Sequence, residues 1–100
     1  MAGSQSLIYK LQLALKQKGY IVTISTSQFY SEEQTRYIKR YMLKRNNKLI
    51  YSSYSTIRIV KYLANLLDII KTLDYKQINS KAVDTIVELK LEELYNGKDN

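Results

Sequence analysis

The chain has no cysteine, no histidine, no proline and no tryptophan, and only three glycines in 100 residues. Each absence removes a class of explanation. Without cysteine there are neither disulfides nor thiolate metal sites. Without histidine the most common general base, the usual nucleophilic triads and most zinc sites are gone. No proline-rich or glycine-rich stretch marks a linker, and no repeat of roughly 20–50 residues is present. The apolar runs are too short and too charged to span a bilayer, and no signal-peptide pattern opens the chain. The expectation is one soluble, cytoplasmic domain over residues 1–100 with no membrane role. MAGS, residues 1–4, is set aside as a cloning remnant or a disordered start.

What is present is apolar content, positive charge and tyrosine. Hydrophobic residues make up 45% of the chain, enough for a core, so a disordered chain is not expected. The net charge of +7 is unevenly spread. Residues 1–61 hold eleven of the sixteen Lys and Arg residues and two of the nine acids, whereas residues 62–100 hold five cations against seven acids. A basic half points to nucleic acid, an anionic surface or an acidic protein partner. A merely solvated surface explains the same charge.

Leu7, Ile8, Leu11, Ala14 and Leu15 recur at helical spacing, with Lys10, Lys16 and Gln17 opposite. Gly19 follows where a helix-ending residue would sit, so a first helix is expected over residues 5–18. YIVTISTSQFY, from Tyr20 to Tyr30, is β-branched, aromatic and alternating, which predicts a half-buried strand.

The next segment reads two ways. Ser31-Glu32-Glu33-Gln34 matches a helix capping box, and Tyr37, Ile38, Tyr41 and Met42 would then share a helix face. Read as a strand, Arg36, Ile38, Arg40, Met42 and Lys44 share one side and Tyr37, Lys39, Tyr41 and Leu43 the other. Periodicity alone does not decide. Two strands would be a poor platform for a long apolar helix, and Asn46-Asn47 between two β-type runs suits the positive φ of a tight hairpin. The strand reading is preferred, with a hairpin of residues 35–45 and 48–54. It aligns Arg36, Arg40 and Lys44 on one face.

STIRIVKYLANLLDIIKTLD follows, capped by Ser53 or Ser55. Its polar residues, Arg58, Lys61, Asn65, Asp68 and Thr72, form one narrow stripe, so this helix should lie centrally in the core. A last helix starts near Ser80, with Val83, Ile86, Val87 and Leu94 inward, Asp84, Glu88 and Glu92 outward, and Asn96-Gly97 at its end. The order α-β-β-β-α-α predicts a two-layer α+β domain whose three-stranded antiparallel sheet packs on that long central helix.

Little in the chain suggests catalysis. The adjacent acids Glu32-Glu33 fall in an expected turn or first helical turn, no phosphate-binding glycine loop appears, and neither enzyme activity nor a cofactor is expected. Ten tyrosines beside Lys and Arg suit a surface that stacks bases and holds phosphates. The plainer explanation is that tyrosine replaces Phe and Trp in the core, and it is preferred for Tyr37, Tyr41 and Tyr62; Tyr30, Tyr51 and Tyr54 stay open. Arg58 and Lys61 lie in the first turns of the long helix beside Ser52, Ser53 and Ser55, where an anion would be favoured. Ordinary capping explains those serines as well.

From Leu7 to Leu73 the element order resembles that of double-stranded RNA-binding domains. That resemblance implies contacts from Lys10 and Lys16, from Ser31 to Gln34, and from Arg58 and Lys61. The family's Gly-Pro-x-His turn is replaced here by acids, Glu32-Glu33. RYIKRYMLKRNNKLIYSSYSTIRIVKYLANL, from Arg36 to Leu66, is similar to small uncharacterised proteins of phages and conjugative elements in low-GC Gram-positive bacteria. It implies a mobile-element context and no site residues. The expected function is a nucleic-acid-binding accessory protein using Arg36, Arg40, Lys44, Lys48, Arg58 and Lys61. The alternatives are a module docking on an acidic protein surface, or a structural domain or homodimer joined through the last helix.

Overall fold

The computed structural model of the protein describes residues 3–73 and 80–98. It is α+β, with a three-stranded antiparallel sheet and three helices. Helix α1, Gly3–Gln17, begins inside the opening residues set aside above. Ile8 and Leu15 are buried on its inner face, while Leu7 is largely exposed. Its end is a Schellman turn. The Gly19 N–H donates to Lys16 O (2.9 Å), the Tyr20 N–H donates to Leu15 O (2.9 Å), and Gly19 sits at φ 82. Leu15 and Tyr20, the residues flanking the turn, are both buried in the core. Gly19→Ala should cost about 1–2 kcal/mol, since an L-residue in this left-handed conformation crowds its own carbonyl. Urea unfolding measures it; an unchanged midpoint would contradict this account of the turn.

The strands are β1, Thr23–Ser31, β2, Arg36–Arg45, and β3, Lys48–Ser53, in the order β1-β2-β3. Asn46 and Asn47 have φ 53 and 63, the primed-turn geometry expected of a two-residue hairpin. The segment after Gln34 is therefore extended rather than helical. Ser31 Oγ does accept the Gln34 N–H (3.3 Å), as a capping box would, but here it braces the loop between β1 and β2. The bond is local and compatible with either structure, which is why the sequence is ambiguous there.

Strand β1 begins at Thr23, three residues later than the alternation suggests. Thr23 pairs with Lys44, and the chain turns just past Arg45, so little of β2 remains for earlier residues to pair with. Tyr20 and Val22 are buried in the connection instead. On β3 the register shifts between Leu43 and Lys44, which leaves Ile50 as an extra, bulged residue.

Helix α2, Thr56–Thr72, is capped by Ser55, whose Oγ accepts the Arg58 N–H. It buries Ile59, Tyr62, Leu63, Leu66, Ile69 and Ile70, and packs with α1, α3 and β3. Ile57, in its first turn, is exposed despite being apolar. Helix α3, Ser80–Lys98, continues through Asn96-Gly97 and buries Val83, Val87 and Leu91. Leu94, expected inward, is 39% exposed. The buried row runs at steps of four from Val83 to Leu91 and on to Tyr95, so the helix meets its neighbours along an inclined ridge that Leu94 misses. Asp84, expected outward, instead forms an ion pair with Arg45, whose guanidinium also lies 3.9 Å from the Tyr20 ring centroid.

Three tyrosines join the elements. The Tyr51 and Tyr62 rings stack at 4.2 Å, and Tyr95 lies 6.2–6.3 Å from both in nearly parallel planes. Asn65, assigned to the solvated stripe, donates to Tyr95 Oη (3.4 Å). Burial pushes the Tyr62 hydroxyl above the ordinary tyrosine value, with Tyr20, Tyr95, Glu88 and Tyr51 adding to the rise. Burial raises Tyr95 too, against the Asn65 hydrogen bond. The folded state thus holds these protons more tightly than the unfolded chain. Their contribution to stability should be complete below about pH 10 and should fall as pH rises further. The urea midpoint followed across that range checks this. A Tyr62→Phe chain should lose less over the same range.

Candidate functional site

The sheet has one deeply buried residue, Leu43, which is 0% exposed and marks the side of β2 that faces the helices. Tyr37, Lys39, Tyr41 and Arg45 alternate with it on that side. Arg36, Ile38, Arg40, Met42 and Lys44 therefore stand on the outer face. Opposite them on β1 are Ser31, Phe29, Ser27, Ser25 and Thr23, small or polar except for Phe29. This is the arrangement expected for Arg36, Arg40 and Lys44. Four residues of strand separate neighbouring cations by roughly 13 Å. That exceeds the screening length of ~8 Å at physiological ionic strength, so the row tolerates its own repulsion.

Neutral groups hold the two arginines. Arg36 donates from Nε and Nη2 to Gln34 Oε1 (3.0 and 2.8 Å), and Arg40 donates from Nη2 to Ser52 Oγ (3.0 Å). Among the described residues neither is ion-paired; the cation that a carboxylate neutralises is Arg45, on the other face. Arg36 and Arg40 are aimed by hydrogen bonds that leave their charge uncompensated.

The connection from β3 to α2 brings a fourth cation close. Arg58, exposed in the first turn of α2, lines an open recess of about 530 Å³ together with Arg40, Ser52, Ser53, Tyr54 and Ser55. Lys61 is exposed one turn further along and does not line that recess. Lys48 falls elsewhere. It pairs with Arg45 and lines a separate cavity with Asp84 and Glu88, so it does not extend the row.

Aromatic side chains flank the cations. The Phe29 and Tyr54 rings meet edge to face at 6.2 Å, both substantially exposed. Tyr30 and Tyr37 form a similar pair at 5.2 Å on the other side of the hairpin. Tyr37, assigned to the core, is 64% exposed, and none of the described helices packs closely on β2. Tyr41 is half-buried and Tyr62 buried, whereas Tyr51 belongs to the stacked cluster. Phe29 was not singled out from the sequence. Its alternation with Ser27 and Ser31 was the available signal.

No helix among the described residues is long and apolar enough to cross a membrane, and no cluster of three or more His, Cys, Asp or Glu side chains among them could hold a metal ion. The chain matches no family model, no curated protein sequence and no solved structure.

Proposed function

We propose that this protein is a non-enzymatic nucleic-acid-binding accessory protein of a mobile element, which holds a single strand across the outer face of its sheet. The strongest support is the row Arg36, Arg40 and Lys44 on one face, its arginines bonded to neutral oxygens rather than carboxylates. Phosphates would bind along this row and at Arg58. Bases would stack on Phe29 and Tyr54, a combination suited to strands whose bases are unpaired. On this reading α2 supports the sheet from behind, through Leu43 and the stacked tyrosines, and keeps the face flat.

The test is anisotropy titration of labelled single-stranded and duplex oligonucleotides with the full chain at about 50 mM salt. Micromolar binding with the single strand preferred is expected. Affinity no better than millimolar for both would remove the proposal.

A further inference from the structure

Strand β3 pairs with β2 only from Tyr41 to Arg45, so among the described residues Arg36 to Arg40 have β1 on one side and no strand on the other. The alternation of the ladder tells which backbone groups face that open side. Arg45 and Lys48 flank a two-residue turn and face each other, so the odd-numbered residues of β2 direct their N–H and C=O toward β3. Carried along the strand, the same rule makes Tyr37 and Lys39 present theirs to the open edge. Beside this edge runs a groove of about 800 Å³ lined by Tyr37, Lys39, Tyr41, Tyr54, Ser55 and Ile57. Tyr37, Tyr54 and Ile57 are each more than half exposed there.

We infer that this edge accepts an extended acidic peptide from a partner protein, added as a fourth strand in line with β3. Main-chain bonds to Tyr37 and Lys39 supply the pairing, and the groove takes alternate apolar side chains. Charge selects the occupant. Arg36 and Lys39 line the groove, and Arg40 and Arg58 line the recess adjoining it at Tyr54 and Ser55; among the described residues the acid that lines the groove is Glu33, next to Glu32 in the loop. A second copy of this chain fits poorly, because edge-to-edge pairing would set Arg36, Lys39 and Arg40 against the same cations of its mate. The inference shares Arg36, Arg40, Arg58 and Tyr54 with strand binding on the outer face, whereas the main-chain groups of Tyr37 and Lys39 serve the edge alone.

The experiment is selection of displayed random octapeptides against the folded full chain, followed by titration of the synthetic winners. The expected winners alternate Asp or Glu with β-branched or aromatic residues and bind at micromolar concentration. Lys39→Pro removes the edge N–H on the side away from β1, where proline is tolerated, and should weaken binding at least tenfold. Lys39→Gln, which keeps the N–H, should cost under threefold. Amide exchange on the unaltered chain gives a reading independent of these variants. The winning peptide should slow exchange at Tyr37 and Lys39 without changing Ile38. Winners lacking acids, equal binding to the Lys39→Pro chain, no winners, or protection absent from Tyr37 and Lys39 would each overturn the inference. Oligonucleotide affinity unaffected by Lys39→Pro would leave the outer-face reading intact while the edge is tested.

Discussion

Replacing Leu43 by alanine is expected to cost about 2–5 kcal/mol, the range for deleting a fully buried leucine. Leu43 is 0% exposed and is the sheet's single buried residue. It belongs to the same buried cluster as Leu15 of α1, Leu63 of α2 and Val83 of α3, which are also fully buried. The strands otherwise offer the core half-buried residues such as Ile24, Tyr41 and Tyr51. The lost methyl groups leave a cavity that this anchoring position cannot easily close. A domain of this size has ~5–15 kcal/mol in total, so the change takes a large share of its stability. Urea unfolding followed by far-UV circular dichroism reads the effect. Met42→Ala, at the next position on the outer face, should cost under about 1 kcal/mol. Similar losses at both positions would show that the assignment of the two faces is wrong.

Reversing two charges, Arg36→Glu with Arg40→Glu, should weaken single-strand binding by about 10²- to 10⁴-fold. Each arginine is assigned one charge-assisted contact to phosphate, at ~1.5–3 kcal/mol apiece, and ~1.4 kcal/mol corresponds to a factor of ten. The folded state should tolerate the change, since these side chains bond only Gln34 and Ser52. The control is Lys16→Glu with Lys18→Glu at the end of α1, which alters net charge equally at exposed positions away from the sheet. It should cost less than about tenfold, a long-range effect only. Equal losses from both pairs would mean that net charge, rather than this face, drives association.

The elements that local chemistry dictates were legible in the sequence. Gly19 ends α1 by a Schellman turn, and Asn46-Asn47 turns the hairpin, because both depend on backbone preferences of the residues themselves. The period of two put Arg36, Arg40 and Lys44 on one face once the segment was taken as strand. Contacts across the chain were not legible. Arg45 meets Asp84 from 39 residues away, and Asn65 meets Tyr95 across 30, so both Asp84 and Asn65 read as solvated from their own helices. Lys48 left the proposed row because the two-residue turn sets it opposite Arg45, on the helix-facing side. Tyr37 looked like a core residue by its pattern, yet it is largely exposed. Where a layer stops is decided by packing, and a strand's alternation carries no record of it.

The central claim is that Arg36, Arg40, Lys44 and Arg58 neutralise phosphates together. The most direct measurement is the affinity of the full chain for one labelled single-stranded oligonucleotide, repeated from about 50 to 200 mM salt. Four phosphates at roughly −0.7 each predict a log–log slope near −3. A slope flatter than about −1, or no binding at the lowest salt, would contradict the account.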